Sequence, residues 1–289
     1  MKTYREYLNT IFPHLKVQKL SVDAGFTCPN RDGTISTGGC SYCRNDSFTP
    51  GYCNPSESVT LQLEKGKIFF ARKYPEMKYL AYFQSYTGTH GKVSEYLRKL
   101  YQEALDVEGI VGLVIATRPD SVSDETVNLL SEINKQKPVF VEIGAETSHD
   151  LTLRNINRNH SWNDVETTLK KLSDVGLHIG VHLIAGLPGE TEEMILETVR
   201  KTSSLPIETL KLHQLQILYG TELYRQWKAG KAFPTIYEPE QYLSLCRKII
   251  EIVPERIVIE RFLSQSPPEL VAAPKWGLMN YQFMNLLKV

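Results

Sequence analysis

The chain has 289 residues, 42% hydrophobic and 23% charged, the make-up of an ordinary globular protein. No run approaches the ~18 consecutive apolar residues that a membrane-spanning helix requires, so no membrane partner is expected. Lys plus Arg equals Asp plus Glu at 33 each, which excludes the net positive charge of a protein that grips long nucleic acid.

A local basic face remains open to the chain, because Lys2, Arg5, Lys16, Lys19, Arg31 and Arg44 cluster near its N-terminus. The start, MKTYREYLNTIFPHL, carries no long apolar segment and no small-residue cleavage site, so the expected location is cytoplasmic. A first strand is expected at 16–22.

The loop after that strand, CPNRDGTISTGGCSYC, sets Cys28, Cys40 and Cys43 at a C-x11-C-x2-C spacing, with Tyr42 just before the last thiol. A [4Fe–4S] cube normally takes four cysteines. Three leave one iron free for a further ligand, by the logic that separates open catalytic zinc sites from closed structural ones. The spacing also suits a structural zinc completed by His90, His160 or another histidine, and on spacing alone the two readings stand side by side. A thioredoxin-like reading of Cys40 and Cys43 is weaker, since such pairs usually open a helix straight after a strand. Five cysteines, an odd number with three crowded together, favour metal ligation in a reducing compartment over disulfides. Cys53 and Cys246 are left over and are expected to be buried, unreactive thiols.

Downstream, helix-length and strand-length stretches alternate. The expected order is helix 57–73, strand 78–84, helix 93–105, strand 112–116, helix 124–135, strand 139–144, helix 163–175, strand 178–185, helix 192–203, strand 209–215 and helix 222–229. Ser56, Ser123 and Thr191 offer N-cap oxygens, and Glu192 and Glu193 suit a first helical turn. Six βα units predict an α/β fold with a parallel sheet: a partial (β/α)6 TIM-like barrel, open on one side to a large substrate. In such barrels chemistry sits at the C-terminal ends of the strands. His182 shares a strand face with Gly180 and Ile184, and Lys211 and His213 alternate on the sixth strand. These three polar side chains, aimed into one barrel, are the expected substrate contacts.

From about residue 237 the character changes to a helix at 240–252, a short strand at 256–259, a proline-rich turn SQSPPELVAAP and a last helix from 276. This reads as an extension, 237–289, covering a core of 1–236.

The C-x-aromatic-C ending, in a loop directly after a first strand, resembles the cluster loop of radical S-adenosylmethionine (radical SAM) enzymes. The wider CPNRDGT...GGCSYC wording is similar to short bacterial members related to the catalytic subunit of elongator, a family that acts on the wobble uridine of transfer RNA. The resemblance implies a partial barrel of the radical SAM type. It also implies a [4Fe–4S] cluster on Cys28, Cys40 and Cys43 whose open iron is chelated by S-adenosylmethionine. Reductive cleavage would then give methionine and a 5′-deoxyadenosyl radical, with reduced flavodoxin or ferredoxin as electron donor.

The same resemblance assigns further residues. After the second strand, FQSYTGTHG offers Gln84, Ser85 and Thr87 to the amino group of S-adenosylmethionine, in place of the usual Gly-Gly-Glu. In EIGAETSHDLTLRNINRNH, Glu146 replaces the usual glutamine facing the ribose hydroxyls. Arg158, in an Arg-x-His with His160, suits the methionyl carboxylate, because its planar fork donates two parallel hydrogen bonds. Glu142, Thr147 and His149 lie near the same strand end. The turn from Gly186 and Leu187 to Pro188 and Gly189 resembles the segment brought against adenine. Tyr42, Tyr82 and Phe83 are candidates for excluding water. The resemblance includes no acetyltransferase domain, so the implied substrate is a 5-aminomethyl-type side chain on wobble uridine in tRNA. Two other readings stand beside it: radical chemistry on a small metabolite or peptide, and a non-enzymatic binding module stabilised by zinc or a closed cluster.

Overall fold

The computed structural model describes residues 2–71, 76–91 and 94–287. Helix α1 (Tyr4–Ile11) precedes strand β1 (Val17–Val22). Then follow α2 (Val59–Ala71), β2 (Lys78–Phe83), α3 (Ser94–Asp106), β3 (Ile110–Thr117), α4 (Asp124–Asn134), β4 (Val139–Glu146), α5 (Asp150–Asn155), α6 (Trp162–Asp174), β5 (His178–Ala185), α7 (Glu192–Ser203) and β6 (Thr209–Gln214). The chain closes with β7 (Ile217–Leu218), α8 (Glu222–Lys228), α9 (Pro239–Ile252), β8 (Val258–Arg261), β9 (Val271–Ala273) and α10 (Asn280–Leu287). The expected helices at 57–73 and 93–105 include residues 72, 73 and 93, which lie outside the described residues.

Seven strands form one sheet in the order β1-β2-β3-β4-β5-β6-β8, every neighbouring pair parallel. The expected six-stranded partial barrel thus gains a seventh strand. The segment read as a short strand of the extension pairs with β6 through Val258 and Ile259, because its two apolar residues are buried at the sheet's free edge. The extension also supplies β9, which pairs antiparallel with β7. On α9, Tyr242 packs against Trp276 and Phe283, with ring centroids 5.6 and 5.5 Å away.

Helix entries follow local chemistry. Ser123 and Thr191 accept from the backbone N–H of Thr126 and Met194, as their positions predicted. Ser56 does not cap α2. Its N–H and hydroxyl both bond the Asn54 side chain in a tight turn, and Ser58 instead accepts from the Leu61 N–H of a helix that starts at Val59.

Each strand divides its side chains between two faces. Leu113, Ile115, Val139, Val141, Ile143, Ile179, Val181, Leu210 and Leu212 face the helices and build the main core. The opposite face is layered. At the floor, Tyr7, Leu8 and Phe12, on or just after α1, pack on Leu80, Tyr82, Val114, Phe140 and Val258. Helix α1, absent from the sequence reading, is fixed by a reciprocal capping box between Thr3 and Glu6. Above the floor the inward face becomes charged, and above that it opens into a cavity.

Candidate active site

The cavity holds about 260 Å³ and is lined by all three cysteines of the loop, with Arg158 and Glu146 among its walls. The loop is shaped by its own backbone: Arg31 and Asp32 N–H groups both donate to the Cys28 carbonyl, and Cys43 N–H donates to the Cys40 carbonyl at 3.0 Å. Ser41 is bound on both sides, its N–H to Ile156 O at 2.8 Å and its carbonyl to Leu223 N–H at 2.7 Å, which locks the close cysteine pair to the main body. Gly39 has φ +82°, and a Cβ there would stand 2.8 Å from the Arg31 guanidinium carbon. Glycine at this point therefore lets Arg31 fold across the loop and donate to the Cys43 carbonyl at 3.0 Å.

Donors surround the sulfurs. Asn30 Nδ2 lies 3.4 Å from Cys40 Sγ and also donates to the Arg158 carbonyl, while Arg158 Nη1 lies 3.8 Å from the same sulfur. Burial pushes the Cys43 thiol up to about 11, helped by Cys40 and opposed by Arg31. A metal must therefore displace its proton, as thiolate ligation always requires. Among the described residues no three His, Cys, Asp or Glu groups are arranged around a single ion.

Strand β4 ends in a deliberate irregularity. Its register with β5 shifts between Gly144 and Glu146, and Glu146 sits in the left-handed region at φ 65°. Arg158 Nη2 reaches the Gly144 carbonyl at 2.7 Å and Glu146 Oε1 at 3.3 Å. Its Nε, buried, has no partner among the described residues. That orphaned donor, in a cavity shared with three thiols, fits a carboxylate-bearing ligand beside a cluster.

At the base of the cavity lies a network centred on Glu142, whose side chain is 4% exposed. Lys19 Nζ (2.6 Å), Lys211 Nζ (2.7 Å), Tyr82 Oη (2.6 Å) and His182 Nε2 (2.9 Å) converge on its carboxylate. Glu260 binds Lys19 at 2.8 Å and Lys211 at 3.3 Å. Burial alone would raise the Glu142 carboxyl, but Lys19, Lys211 and His182 hold it well below the usual range. Burial lowers Lys211 to about 8, against the pull of Glu142 and Glu260. Burial, reinforced by Lys211, lowers His182, and burial with Arg261 lowers His213 much further. Both imidazoles are neutral near pH 7.

Of the residues singled out from sequence, Cys28, Cys40, Cys43, Gln84, Thr87, Glu146, Arg158, His182 and His213 all line this cavity, as do Tyr42 and Tyr82. Arg31, Arg44 and Glu142 line it as well, and the others stand outside the lining. Lys211 is 5% exposed and its ammonium is held by Glu142 and Glu260 in the charged layer between the floor and the cavity. Ser85 Oγ faces Thr49 Oγ1 at 3.4 Å. Gly186 is covered by Thr235, whose N–H donates to its carbonyl at 3.0 Å, and Leu187 packs with Ile156 and Leu215. Phe83 belongs to the core on the helix side. Lys19, Glu260, Arg261 and Ser264 were not singled out for the site. A signal existed: a lone charge within the apolar runs of β1, β4 and β6 must find an opposite partner when those strands are buried.

The Radical SAM superfamily model matches residues 31–202, and the Radical_SAM C-terminal domain matches residues 207–288. The uncharacterized protein YtqA of Bacillus subtilis is 34% identical over 285 residues, 99% of this chain and 87% of that protein. A tRNA uridine(34) acetyltransferase of Methanocaldococcus infernus is 27% identical over 164 residues, 56% of this chain but only 30% of that enzyme. Among solved structures, the M. infernus Elp3 with an N-terminal deletion superposes with a TM-score of 0.68 at 20% identity, covering 89% of this chain and 59% of that one. With its half-barrel, its three-cysteine wall and a family match across most of its length, the chain belongs to the radical SAM superfamily.

Proposed function

We propose that this radical SAM enzyme modifies the 5-aminomethyl-type side chain of wobble uridine in tRNA. The observation that carries the substrate is the similarity, over 56% of the chain, to enzymes named for tRNA uridine(34). The cavity mouth supports it. Tyr86 and Phe48 are half exposed among the lining residues, and Arg31 stands 5.8 Å over the Tyr86 ring, an arrangement suited to stacking an unpaired base. Reduced flavodoxin or ferredoxin is the proposed electron donor. Residues 1–236 form the proposed core, and the extension 237–289 adds β8 to its sheet as well as covering it.

In this reading Cys28, Cys40 and Cys43 would hold a [4Fe–4S] cluster. When bound, the reduced cluster and S-adenosylmethionine supply the hydrogen-abstracting 5′-deoxyadenosyl radical. The chain's own part is placement and shielding. Asn30 and Arg158, donating toward Cys40 Sγ, stabilise its thiolate. Arg158 receives the methionyl carboxylate with the Nε that the protein leaves unpaired, and Glu146 accepts from ribose hydroxyls. Gln84 and Thr87, with Ser85 between them, mark the loop that takes the amino group, whereas Gly186 and Leu187, covered by Thr235 and packed on Ile156 and Leu215, would act on the adenine side only through the turn they shape. Tyr42 and Tyr82 keep water from the reacting carbon. His182 and His213 contact substrate from the opposite wall, whereas Lys211 acts through Glu142 as a positioning residue.

The test is mass spectrometry of tRNA nucleosides from a strain lacking the gene. A changed wobble-uridine profile, restored by the wild-type gene and not by Cys43→Ala, supports the proposal. An unaltered profile ends the RNA reading.

A further inference from the structure

The cavity wall carries five arginines, and four are engaged. Arg44 is paired with Asp46 at 2.8 Å, Arg118 with Asp120 at 2.6 Å, Arg158 with Glu146 at 3.3 Å, and Arg31 donates to the Cys43 carbonyl at 3.0 Å. Arg261, at the end of β8, has no ion pair or hydrogen bond among the described residues, and its Nε is buried. Arg261 is part-buried, and its buried Nε is a charged donor left for a ligand to complete.

Next to it, His213 shows the same incompleteness. Its Nδ1 lies 3.0 Å from Ser264 Oγ, and its Nε2 is buried without a partner. With the Ser264 hydroxyl donating to Nδ1, the neutral ring carries its proton on Nε2, the tautomer that offers a donor to a ligand. Ser264 is itself fixed by a pair of hydrogen bonds to Gln214: its N–H donates to Oε1 at 2.6 Å, and Nε2 donates to its carbonyl at 3.2 Å. The segment after β8 is thereby stapled to β6, holding His213 beside Arg261.

We propose that Arg261 and His213 form a receptor for a carboxylate on the part of the substrate that enters the cavity. One fixed positive charge and one neutral N–H match a monoanion, whereas a phosphate dianion would call for more charge. Arg158, beside Cys40 Sγ, is the group placed for the cofactor's own carboxylate, so Arg261 is free for a second. The inference rests on the reading that substrate enters this cavity, and it adds what the substrate must carry: an acidic group in reach of the radical.

The experiment titrates trifluoroacetate into the cluster-loaded protein saturated with S-adenosylmethionine and follows the 19F line. Saturable broadening displaced by acetate is expected, with affinity falling roughly tenfold or more in Arg261→Met, as for loss of a charge-assisted hydrogen bond. His213→Phe is expected to weaken binding less, and Arg261→Lys to retain part of it. Circular dichroism melts confirm that each variant folds, and Arg261→Lys and His213→Phe keep the test decisive if Arg261→Met does not. Three results overturn the proposal: no saturable binding, binding unchanged in all three variants, or binding seen only without S-adenosylmethionine, which would give Arg261 to the cofactor. Inorganic phosphate displacing trifluoroacetate more tightly than acetate overturns the carboxylate class. Because no RNA enters the titration, failure of the wobble-uridine reading and failure of this site are read separately.

Discussion

Arg158 Nη2 lies 3.3 Å from Glu146 Oε1, so two residues assigned to opposite ends of one cofactor are tied to each other across the end of β4. Gly144 makes the contact possible. A Cβ at that position would stand 2.6 Å from Arg158 Nη2 and 2.8 Å from Glu146 Oε1. The pair and the missing side chain form one device that sets the guanidinium beside the cysteine wall before any ligand arrives.

Gly144→Ala is therefore expected to push Arg158 away from Cys40 and weaken S-adenosylmethionine binding about tenfold to a hundredfold, in line with loss of a charge-assisted bond. The three cysteines are untouched, so iron content after anaerobic reconstitution should stay at the wild-type level. Calorimetric titration of the reconstituted variant checks the affinity; equal binding would remove Arg158 from the cofactor.

Alanine at Cys28, Cys40 or Cys43 is expected to abolish the brown chromophore of reconstituted protein, since each supplies one of only three sulfurs. Cys53→Ala and Cys246→Ala should keep it. Cys53 Sγ is turned to the Ser21 carbonyl at 3.1 Å, and Cys246 is fully buried on α9. Iron and sulfide analysis of the five variants separates the groups, and loss of iron in Cys53→Ala would contradict the assignment.

Glu142 joins four donors at the base of the cavity, and taking away its charge leaves Lys19 and Lys211 facing each other with Glu260 alone between them. Breaking a buried ionic group from one side costs about 3–5 kcal/mol. Glu142→Gln is expected to lower the unfolding free energy by that amount, seen in urea as a lower midpoint at unchanged slope. A variant within about 0.5 kcal/mol of wild type would mean that water already screens the network.

The fold was legible because its signal is repeated: buried strands of β-branched residues, caps such as Ser123 and Thr191, and helices of regular spacing recur along the chain. The edge strand β8 was harder to place. Only Val258 and Ile259 carry its apolar signal, and nothing local says that they pair with β6 rather than cover it. At the site, the cysteine spacing and the residues at the end of β4 could be read one by one. The Glu142 network could not, because its members come from β1, β2, β4, β5, β6 and β8, and their meeting depends on register. Lys211 shows the difference. Alternation put it on the inward face, but depth along the barrel decided that it meets Glu142 and not the cavity.

His160, two residues beyond Arg158, gives a pH signature of its own. Burial lowers its imidazole to about 3, with Arg158 adding to the effect. The unfolded chain protonates the same ring near 6.5. Between those values the unfolded state binds more protons, so stability rises with pH through this window and is lost as pH falls below about 6.5. By pH 5 the loss from this one group is about 1–2 kcal/mol. His160→Phe keeps the ring and removes the proton site, and the buried Nε2 it discards has no partner among the described residues. Unfolding curves of the two proteins should keep a constant separation above pH 7 and move in favour of the variant on acidification to pH 5. Parallel curves across that range would mean that water reaches the ring and that the pocket around Arg158 is wetter than its packing implies.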